Sequence, residues 1–248
     1  MFDVREKAAL ITGGTRGIGL ALARQLLAAG AHVAVNGRST TPEAEGLLAE
    51  FGAERVLIAL ADVSDPTQAA ALASQTAEKF GRLDILIHSA GGPVPGTVLA
   101  LDPDNWMAAF ALHVHAVFHL FRAAHPFLAR EGGSVLLISS VAGLRGCPNS
   151  VGYQTVKGAL IPLAKALAMD HAKEGIRVNL LAPGIIRTRF HNQMTDAAQA
   201  HNLANRIPLS REGTAEDVAQ AGIAMIRNTF ITGEILTVDG GMSMRITG

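Results

Sequence analysis

Short, largely apolar runs alternate with longer amphipathic segments along the 248-residue chain. Most of the short runs are apolar at every position, which is typical of parallel strands covered by helices on both faces. We predict seven strands, at Ala8–Thr12, His32–Asn36, Arg55–Ala61, Leu83–His88, Ser134–Ser139, Arg177–Ala182 and Ile235–Val238. Helices are predicted between them, at Gly17–Ala29, Thr41–Phe51, Asp65–Phe80, Asp104–Arg130, Gly152–Glu174 and Ala215–Ile226.

This alternation of strands and helices implies right-handed crossovers. The predicted fold class is therefore α/β, a single-domain Rossmann-like doubly wound parallel sheet of about seven strands flanked by helices. No linker or repeat divides residues 1–248, so we predict one domain. Residues 187–213 depart from the alternation, are polar in patches and follow the sixth strand, which favours a substrate lid at the ligand end of the sheet.

Charge and composition narrow the classes of partner. The 21 basic and 21 acidic residues balance, so we expect no nucleic-acid partner and no attraction to an anionic membrane. No uninterrupted apolar run reaches about 18 residues, and Met1–Lys7 is charged, so neither a membrane span nor a signal peptide is predicted. The single cysteine, Cys147, excludes an internal disulfide and is expected to be structural or to line a substrate pocket. A cytoplasmic location is the expectation.

A glycine-rich loop, Thr12–Gly19, joins the first predicted strand to the first predicted helix. Gly13 permits a tight turn, Gly17 lets the backbone approach a pyrophosphate, and Gly19 lets the helix pack against the strand. Backbone N–H groups and the helix dipole then face the phosphates. In this context the loop predicts dinucleotide binding.

The end of the second strand bears on the choice of cofactor. An acid at this place usually binds the free ribose 2′-hydroxyl of NAD, whereas an arginine accommodates the 2′-phosphate of NADP. Here the sequence is Asn36-Gly37-Arg38-Ser39, and Arg16 lies in the glycine loop. NADP(H) is therefore favoured over NAD(H), the alternative being that both arginines are surface charges.

Three further residues form a catalytic constellation. Tyr153, the only tyrosine, and Lys157 are four residues apart at the start of a predicted helix and so share one face. Ser140 follows the fifth strand, and strand ends meet the starts of their following helices at the carboxyl edge of the sheet. Tyrosine with a pKa near 10 is a poor general base at neutral pH, so a neighbouring ammonium would be needed to favour its phenolate. This set predicts proton transfer to or from a substrate oxygen.

These motifs, taken in order, resemble the short-chain dehydrogenase/reductase family in its single-domain form, over nearly the whole chain. The resemblance rests on the glycine loop and on Asp62-Val63, Ala90-Gly91, Ser140, Tyr153-x-x-x-Lys157, Asn179, Pro183–Thr188 and Val238–Gly241. It implies hydride transfer between NADP(H) and a small-molecule carbonyl or alcohol. Ser140 would position the oxygen, Tyr153 would exchange the proton, and Lys157 would tune the tyrosine and bind the nicotinamide ribose.

The motifs and the resemblance together predict the cofactor contacts. Asp62 would accept from the adenine amino group, and Pro183–Thr188 would contact the nicotinamide, with Thr188 near its carboxamide. The resemblance also implies a homotetramer or homodimer formed through the Asp104–Arg130 and Gly152–Glu174 helices. The predicted cofactor-binding residues are Gly13, Thr15, Arg16, Gly17, Ile18, Gly19, Arg38, Ser39, Asp62, Val63, Ala90, Gly91, Tyr153, Lys157, Pro183, Gly184, Ile186 and Thr188.

The sequence departs from the family pattern at two places. The usual Asn-Asn-Ala-Gly after the fourth strand is His88-Ser89-Ala90-Gly91 here. The catalytic asparagine expected seven residues after Trp106 is replaced by His113. A neutral histidine both accepts and donates, so we predict that His113 serves as a catalytic residue in an altered proton relay.

The histidines His113, His115, His119 and His125 crowd one region. They lack an H-E-x-x-H pattern and a nearby acid or cysteine at ligand spacing, so the sequence predicts no metal site. Packing or a subunit interface is the expected role.

Two other functions remain open at this stage. One is an NADP(H)-binding sensor or partner-binding relative with little turnover, and the other is an isomerase or dehydratase on the same platform. The expected substrate pocket is lined by Gly92–Val98, Val141–Asn149 and residues 187–208, and its apolar residues are Pro93, Val94, Pro95, Val98, Leu144, Cys147, Phe190 and Met194. Four residues are candidates to receive a polar or acidic group: Arg145, Arg187, Arg189 and His191.

Overall fold

The computed structural model describes residues 1–188 and 194–245. At its centre lies a parallel sheet of seven strands in the order β3-β2-β1-β4-β5-β6-β7. The strands are β1 Ala8–Thr12, β2 His32–Gly37, β3 Val56–Leu60, β4 Ile85–His88, β5 Ser134–Ile138, β6 Arg177–Pro183 and β7 Ile235–Val238. The predicted strands are confirmed, with ends that differ by up to two residues. Every residue of β1 and β5 is buried, as expected for strands covered on both faces.

Helices cover both faces of the sheet. They are α1 Gly17–Ala28, α2 Pro42–Phe51, α3 Pro66–Phe80, α4 Pro103–Phe110, α5 Ala116–Leu128, α6 Val151–His171, α7 Asp196–His201 and α8 Ala215–Arg227. One apolar core joins the sheet to α3, α5 and α6, and a second joins its other face to α1, α2 and α8. Carboxylates cap α3 and α4, where Asp65 and Asp102 accept backbone N–H groups ahead of a proline.

The helix predicted over Asp104–Arg130 is present as one continuous helical stretch, Pro103–Leu128, which contains a π-helical irregularity that was not predicted. A π-helical turn, Ala111–His115, separates α4 from α5. The buried residues Ala109, His113, Val117 and Leu120 keep an α-helical spacing across the turn, so periodicity does not reveal it. Turns of this kind are frequent at functional sites, and this one carries His113.

The continuous helical stretch Pro103–Leu128 is long and apolar enough to cross a membrane by length and composition alone. Its most apolar 18-residue window has a mean hydropathy of 1.3 and is 39% buried. A helix on the core of a globular domain passes the same test because its sheet-facing side is apolar. Here α5 packs against α3 and the sheet, so the stretch is weak evidence for a membrane span.

The segment predicted as a lid is partly described. A bridge between Ile186 and Gly213 closes its base, where the Arg187 N–H donates to the Gly213 carbonyl at 2.8 Å. Helix α7 and a π-helical turn, Asn202–Arg206, follow within it. Residues 189–193 lie outside the described residues, and the lid role stays a prediction.

Candidate functional site

The glycine loop packs tightly at the carboxyl edge of the sheet, between β1 and β4. Gly13 has φ +63°, and a Cβ there would lie 2.7 Å from the backbone nitrogen of Ala90. A Cβ on Gly19 would overlap the carbonyl oxygen of Gly13, so α1 can approach β1 this closely only with glycine. Both observations agree with the turn and packing roles predicted for these glycines.

The loop faces the segment that follows β6. Gly17 has φ +54°, and a Cβ on it would lie 3.6 Å from Cγ2 of Thr188. The Thr41 hydroxyl donates to the Thr15 carbonyl at 2.7 Å and holds the loop in place, and Thr15 itself is buried. The structure therefore brings the predicted phosphate-binding and nicotinamide-binding segments to opposite sides of one groove.

The adenosine end of this groove carries exposed charge. Arg38 and Ser39 follow β2 and are exposed, as is Arg16 in the glycine loop. The Arg38 side chain has no hydrogen bond or ion pair with residues 1–188 or 194–245. Hydrogen bonds from Ser64 lower the pKa of Asp62, and the nearby charge of Arg38 contributes to this shift. Arg38 and Asp62, both predicted to contact the cofactor, follow the neighbouring strands β2 and β3.

The other predicted cofactor residues also lie at this edge. Val63 is buried beside the end of β3, and Ile18 is half-buried in α1. Pro183 ends β6, and the Gly184 N–H donates to the Val238 carbonyl at 3.0 Å. A Cβ on Gly184 would meet Asp239 at 2.7 Å, so glycine is needed where the chain leaves the sheet.

The three predicted catalytic side chains converge beside the β5 and β4 ends. Ser140 lies just after β5, and its hydroxyl forms a hydrogen bond with the Tyr153 phenol. Lys157 is 4% exposed, and its Nζ donates to the Ile138 carbonyl at 2.8 Å. That nitrogen lies 5.8 Å from the centre of the Tyr153 ring. A hydroxyl, a phenol and an ammonium are thus assembled in one place.

Close packing between β5 and α6 fixes this arrangement. Ser139 directly precedes Ser140, and its hydroxyl donates to the Lys157 carbonyl in α6 at 2.7 Å. A Cβ on Gly143 would lie 2.7 Å from the Gly158 nitrogen. Ser139 was not among the predicted site residues, because its contact with α6 joins residues 18 positions apart.

Burial shapes the electrostatics of the site. It lowers the pKa of Lys157 from 10.5 to about 8, because a charged ammonium loses hydration. Burial also raises the pKa of Tyr153, and the hydrogen bond from Ser140 opposes that effect only in part. In this state the tyrosine is a protonated acid at neutral pH, and the lysine titrates close to neutrality.

His113 lies directly against this group. Its ring is 1% exposed and meets the Tyr153 ring edge-on with the centroids 6.1 Å apart. The Gly92 N–H donates to His113 Nε2 at 3.3 Å, which places the ring hydrogen on Nδ1. Burial, with the Lys157 charge, lowers the pKa of His113 to about 2, so it is a neutral donor and acceptor. A Cβ on Gly91 would come within 2.6 Å of this ring.

His88 forms a second buried imidazole in the same layer. The Thr12 hydroxyl and His88 Nδ1 are 2.9 Å apart, which ties the ends of β1 and β4 together. Burial, again with the Lys157 charge, lowers the pKa of His88 to about 3. His88 Nε2 and His113 Nδ1 are buried without a hydrogen-bond partner in the described parts of the chain. Both departures from the family pattern therefore fall in one neutral layer behind Lys157.

The predicted polar contacts for substrate are only partly available. Arg145 donates to the Met242 carbonyl at 2.6 Å, and Arg187 pairs with Glu212 at 3.0 Å, so each already has a partner within the protein. Arg189, Phe190 and His191 lie outside the described residues. Cys147 is half-buried, and its backbone hydrogen-bonds the Gln154 side chain next to Tyr153. This position suits the predicted pocket-lining role.

One contact of the histidines could not be predicted from their spacing in the sequence. The sequence shows no acid at ligand spacing, yet the fold brings Glu174 to within 2.6 Å of His125 Nε2. The two residues are 49 positions apart and meet only because α5 and α6 end side by side. Local spacing cannot report such a contact.

Comparisons with known proteins give a consistent result. Residues 13–243 match the family model described as enoyl-(acyl carrier protein) reductase. The chain is 32% identical to 3-oxoacyl-[acyl-carrier-protein] reductase FabG of Chlamydia muridarum, over 96% of this chain and 98% of the relative. It is 35% identical to 3alpha-hydroxysteroid dehydrogenase of Mediterraneibacter gnavus, over 96% and 97% of the two chains.

A solved structure is similarly close. A short chain dehydrogenase from Burkholderia cenocepacia J2315 in complex with NADP superposes with a TM-score of 0.90. It is 33% identical, and the match covers 97% of this chain and 99% of the other.

Proposed function

Since this chain belongs to the short-chain dehydrogenase/reductase family and is an NAD(P)-dependent oxidoreductase, we propose that it interconverts a small-molecule carbonyl and alcohol with NADP(H), using Ser140, Tyr153 and Lys157. One observation carries the assignment of these residues. A serine hydroxyl, a buried phenol and a buried ammonium meet at the carboxyl edge of the sheet, where doubly wound folds bind ligands.

The groove between the glycine loop and Thr188 fits a nicotinamide dinucleotide. Gly17 has a positive φ that other residues rarely adopt, and without a side chain its backbone N–H can be approached closely by a phosphate group. When bound, the cofactor supplies the hydride to the substrate carbon or accepts it. Backbone N–H groups of the loop would hold its phosphates, and Ala90, Gly91 and the Pro183–Thr188 segment would hold the nicotinamide half.

Tyr153 acts as the acid in the reductive direction. The pKa of its phenol is raised by burial, so it carries a proton at neutral pH and gives it to the substrate oxygen. The Ser140 hydroxyl, already within hydrogen-bonding reach of the phenol, orients that oxygen. In oxidation the same phenol must lose its proton first, and the Lys157 charge favours the phenolate.

Reprotonation of the tyrosine involves the buried layer behind it. Lys157, whose pKa is about 8, exchanges protons readily near neutral pH. His113 stays neutral and presents an Nδ1–H beside Gly91, so it would hold a water of the relay by a hydrogen bond rather than carry the proton itself. His113 thereby occupies the relay position with a different group from the asparagine that the family pattern would have there.

The preference for NADP(H) rests on the adenosine end of the groove. Arg38 is exposed, lies next to Asp62 and has its guanidinium unengaged by described residues, which suits a 2′-phosphate. The residues directly after β2, Arg38 and Ser39, include no acid that would receive a free 2′-hydroxyl or repel that phosphate. Arg16 supplies a second positive charge from the glycine loop.

The substrate pocket is proposed to be mainly apolar, since Arg145 and Arg187 have partners of their own. The names of two relatives suggest which ketones to test. A 3-oxoacyl thioester corresponds to the reductase from Chlamydia muridarum, and a 3-ketosteroid corresponds to the hydroxysteroid dehydrogenase.

Assembly into a homodimer or homotetramer is proposed through α4, α5 and α6. Exposed apolar side chains on these helices include Met107, Phe118 and Met169, which are 59%, 53% and 80% exposed. Light scattering of the purified protein tests this, and a monomer at micromolar concentration would contradict it. A cytoplasmic location remains an expectation.

The deciding experiment measures binding and turnover separately. NADPH and NADH are titrated into wild type and Tyr153→Phe, and absorbance is then followed with a panel containing the thioester, the steroid and simple ketones. We expect NADPH to bind more tightly and to be consumed. Tyr153→Phe should bind NADPH normally while its kcat falls about 10²–10⁴-fold, since it loses the general acid.

Other outcomes separate the alternatives. Tight NADPH binding without consumption of any panel member would favour a sensor or partner-binding protein, which the buried His113 layer makes worth testing. Substrate conversion without net NADPH consumption would favour an isomerase or dehydratase. Full activity of Tyr153→Phe would contradict the assigned mechanism.

A further inference from the structure

Two histidines and a glutamate form a cluster far from the catalytic residues. The His–Glu–His cluster consists of His125 near the end of α5, His171 at the end of α6, and Glu174 in the turn that follows. Tyr153 lies 18 residues before His171 on the same helix, about 27 Å away along its axis. The cluster therefore belongs to the opposite edge of the sheet from the cofactor groove.

The side chains of the cluster converge on one point. Glu174 Oε2 lies 2.6 Å from His125 Nε2 and 3.1 Å from His171 Nδ1. All three ligand atoms lie within 4.8 Å of one another. Ligand atoms bound to one tetrahedral zinc ion at about 2.1 Å are roughly 3.4 Å apart, so small side-chain shifts suffice.

Packing orients both imidazoles in advance. The buried Phe121 ring contacts the His171 ring at 4.9 Å and the His125 ring at 6.1 Å between centroids. The rings are half-buried and Glu174 is exposed at the mouth of a cleft, so an ion can reach the ligands from solvent. Rings fixed by neighbours lose little freedom on binding a metal.

The surrounding backbone favours a cation. His125 lies in the last turn of α5 and His171 in the last turn of α6, where the negative ends of two helix dipoles meet. Two imidazoles and one carboxylate, with the fourth position left to water, are a ligand set that zinc adopts.

We propose that the His–Glu–His cluster binds one divalent transition-metal ion of the zinc type, which ties the end of α5 to the end of α6. Imidazole ligands select such ions over Mg²⁺ or Ca²⁺. The role is structural, because the ion would lie a helix length away from Tyr153 and Lys157.

Chelator-treated protein is titrated with Zn²⁺ by calorimetry and with Co²⁺ by visible absorbance, for wild type, His171→Gln and Glu174→Gln. His119→Gln is the matched control, since it removes a histidine of α5 that lies outside the cluster. We expect one ion per chain, with affinity reduced at least about 10–100-fold in both cluster variants and unchanged in the control. The absorbance of bound Co²⁺ should show the intense bands of a four-coordinate site.

Thermal unfolding gives an independent measurement. At a free Zn²⁺ concentration about 100 times Kd, Tm of wild type should rise by roughly 5–10 °C, and that of His171→Gln should not. Circular dichroism checks that each variant is folded. Absence of stoichiometric binding to wild type, or equal binding by His171→Gln, would overturn the proposal.

Discussion

The two halves of the site bind by opposite means. In the β1–α1–β2 half, glycine backbone and exposed charges such as Arg38 face the groove, and the buried polar side chains, Thr12, Thr15 and Asn36, are uncharged. In the β4–β5–α6 half, the groups that matter are buried: His88, His113, Ser140 and Lys157 are all less than 10% exposed. The first half is suited to binding a charged ligand. In the second half, burial lowers the pKa values of His88, His113 and Lys157.

This difference determines what each half tolerates. A binding surface made of glycine backbone depends on the absence of side chains, so a substitution that adds a Cβ should disturb its packing and weaken ligand binding. Polar side chains in a buried layer lose their hydration and need hydrogen bonds or neighbouring charges in its place. Burial therefore shifts their pKa values and lowers the free energy of unfolding. Substitutions in each half should therefore produce effects of different kinds.

Gly19→Ala should be the most damaging change in the binding half. Its Cβ would overlap the Gly13 carbonyl, and backbone cannot move aside cheaply. We expect the free energy of unfolding to fall by about 3 kcal/mol or more, with NADPH affinity also reduced. Denaturant titration and fluorescence titration measure the two effects.

The control is Gly46→Ala in α2, where a Cβ meets nothing within 4 Å. That variant should be as stable as wild type or more stable, because alanine is the better helix former. Equal behaviour of the two alanine variants would remove the packing argument for Gly19.

Substitution of Lys157 measures how much burial of a charged side chain lowers the free energy of unfolding. Because burial lowers its pKa to about 8 from 10.5, the unfolded chain binds this proton more tightly than the folded chain does. Wild-type stability should therefore gain a contribution of about 3 kcal/mol as pH rises from about 8 to 10.5. Lys157→Met should lack this contribution and be more stable than wild type at pH 7.

Unfolding free energies of the cofactor-free proteins at pH 7 and pH 10 give the comparison. Lys165→Met, an exposed lysine on the same helix, should keep the wild-type slope. A wild-type slope in Lys157→Met would show that burial does not perturb this lysine.

Arg38→Ser should act on one cofactor only. Loss of a charge-assisted contact to a 2′-phosphate is expected to weaken NADPH binding by about 10–100-fold. NADH binding should change little, and Arg122→Ser, an exposed arginine on α5, should change neither. Parallel weakening of both cofactors would mean that Arg38 does not read the 2′-phosphate.

His113→Asn is expected to have the smallest effect. It replaces one neutral hydrogen-bonding group with another, so kcat should change by less than about 10-fold. The pH profile of kcat should shift, because an amide replaces the imidazole beside Lys157 and Tyr153 in the proposed proton relay. An unchanged rate and an unchanged profile, with His119→Asn as control, would assign His113 to packing alone.

The sequence was most informative where structure depends on local pattern. Runs such as the one in β5 predict buried parallel strands, and Asp65 or Asp102 ahead of proline predicts a helix start, because both depend on neighbouring residues. The glycine loop and the Tyr153–Lys157 spacing are equally local. These local features were sufficient to predict the fold and to propose the catalytic residues.

Contacts between distant residues were not readable. The Thr12–His88 pair joins positions 76 apart, and Ser139 reaches the backbone of Lys157 only after β5 and α6 have packed. The π-helical turn before α5 leaves the apolar spacing unchanged, so no period reveals it. Side-chain protonation likewise depends on burial, which exists only in the folded chain.

The missing side chain of Gly91 restricts the order in which this protein can acquire substitutions. A methyl group there collides with the His113 ring, so Gly91→Ala should be harmful alone and tolerated after His113→Ala. The two positions are thus expected to show epistasis, in which the cost of a change at one position depends on the residue at the other. Evolutionary routes from this sequence through a larger residue 91 must first pass through a smaller residue 113.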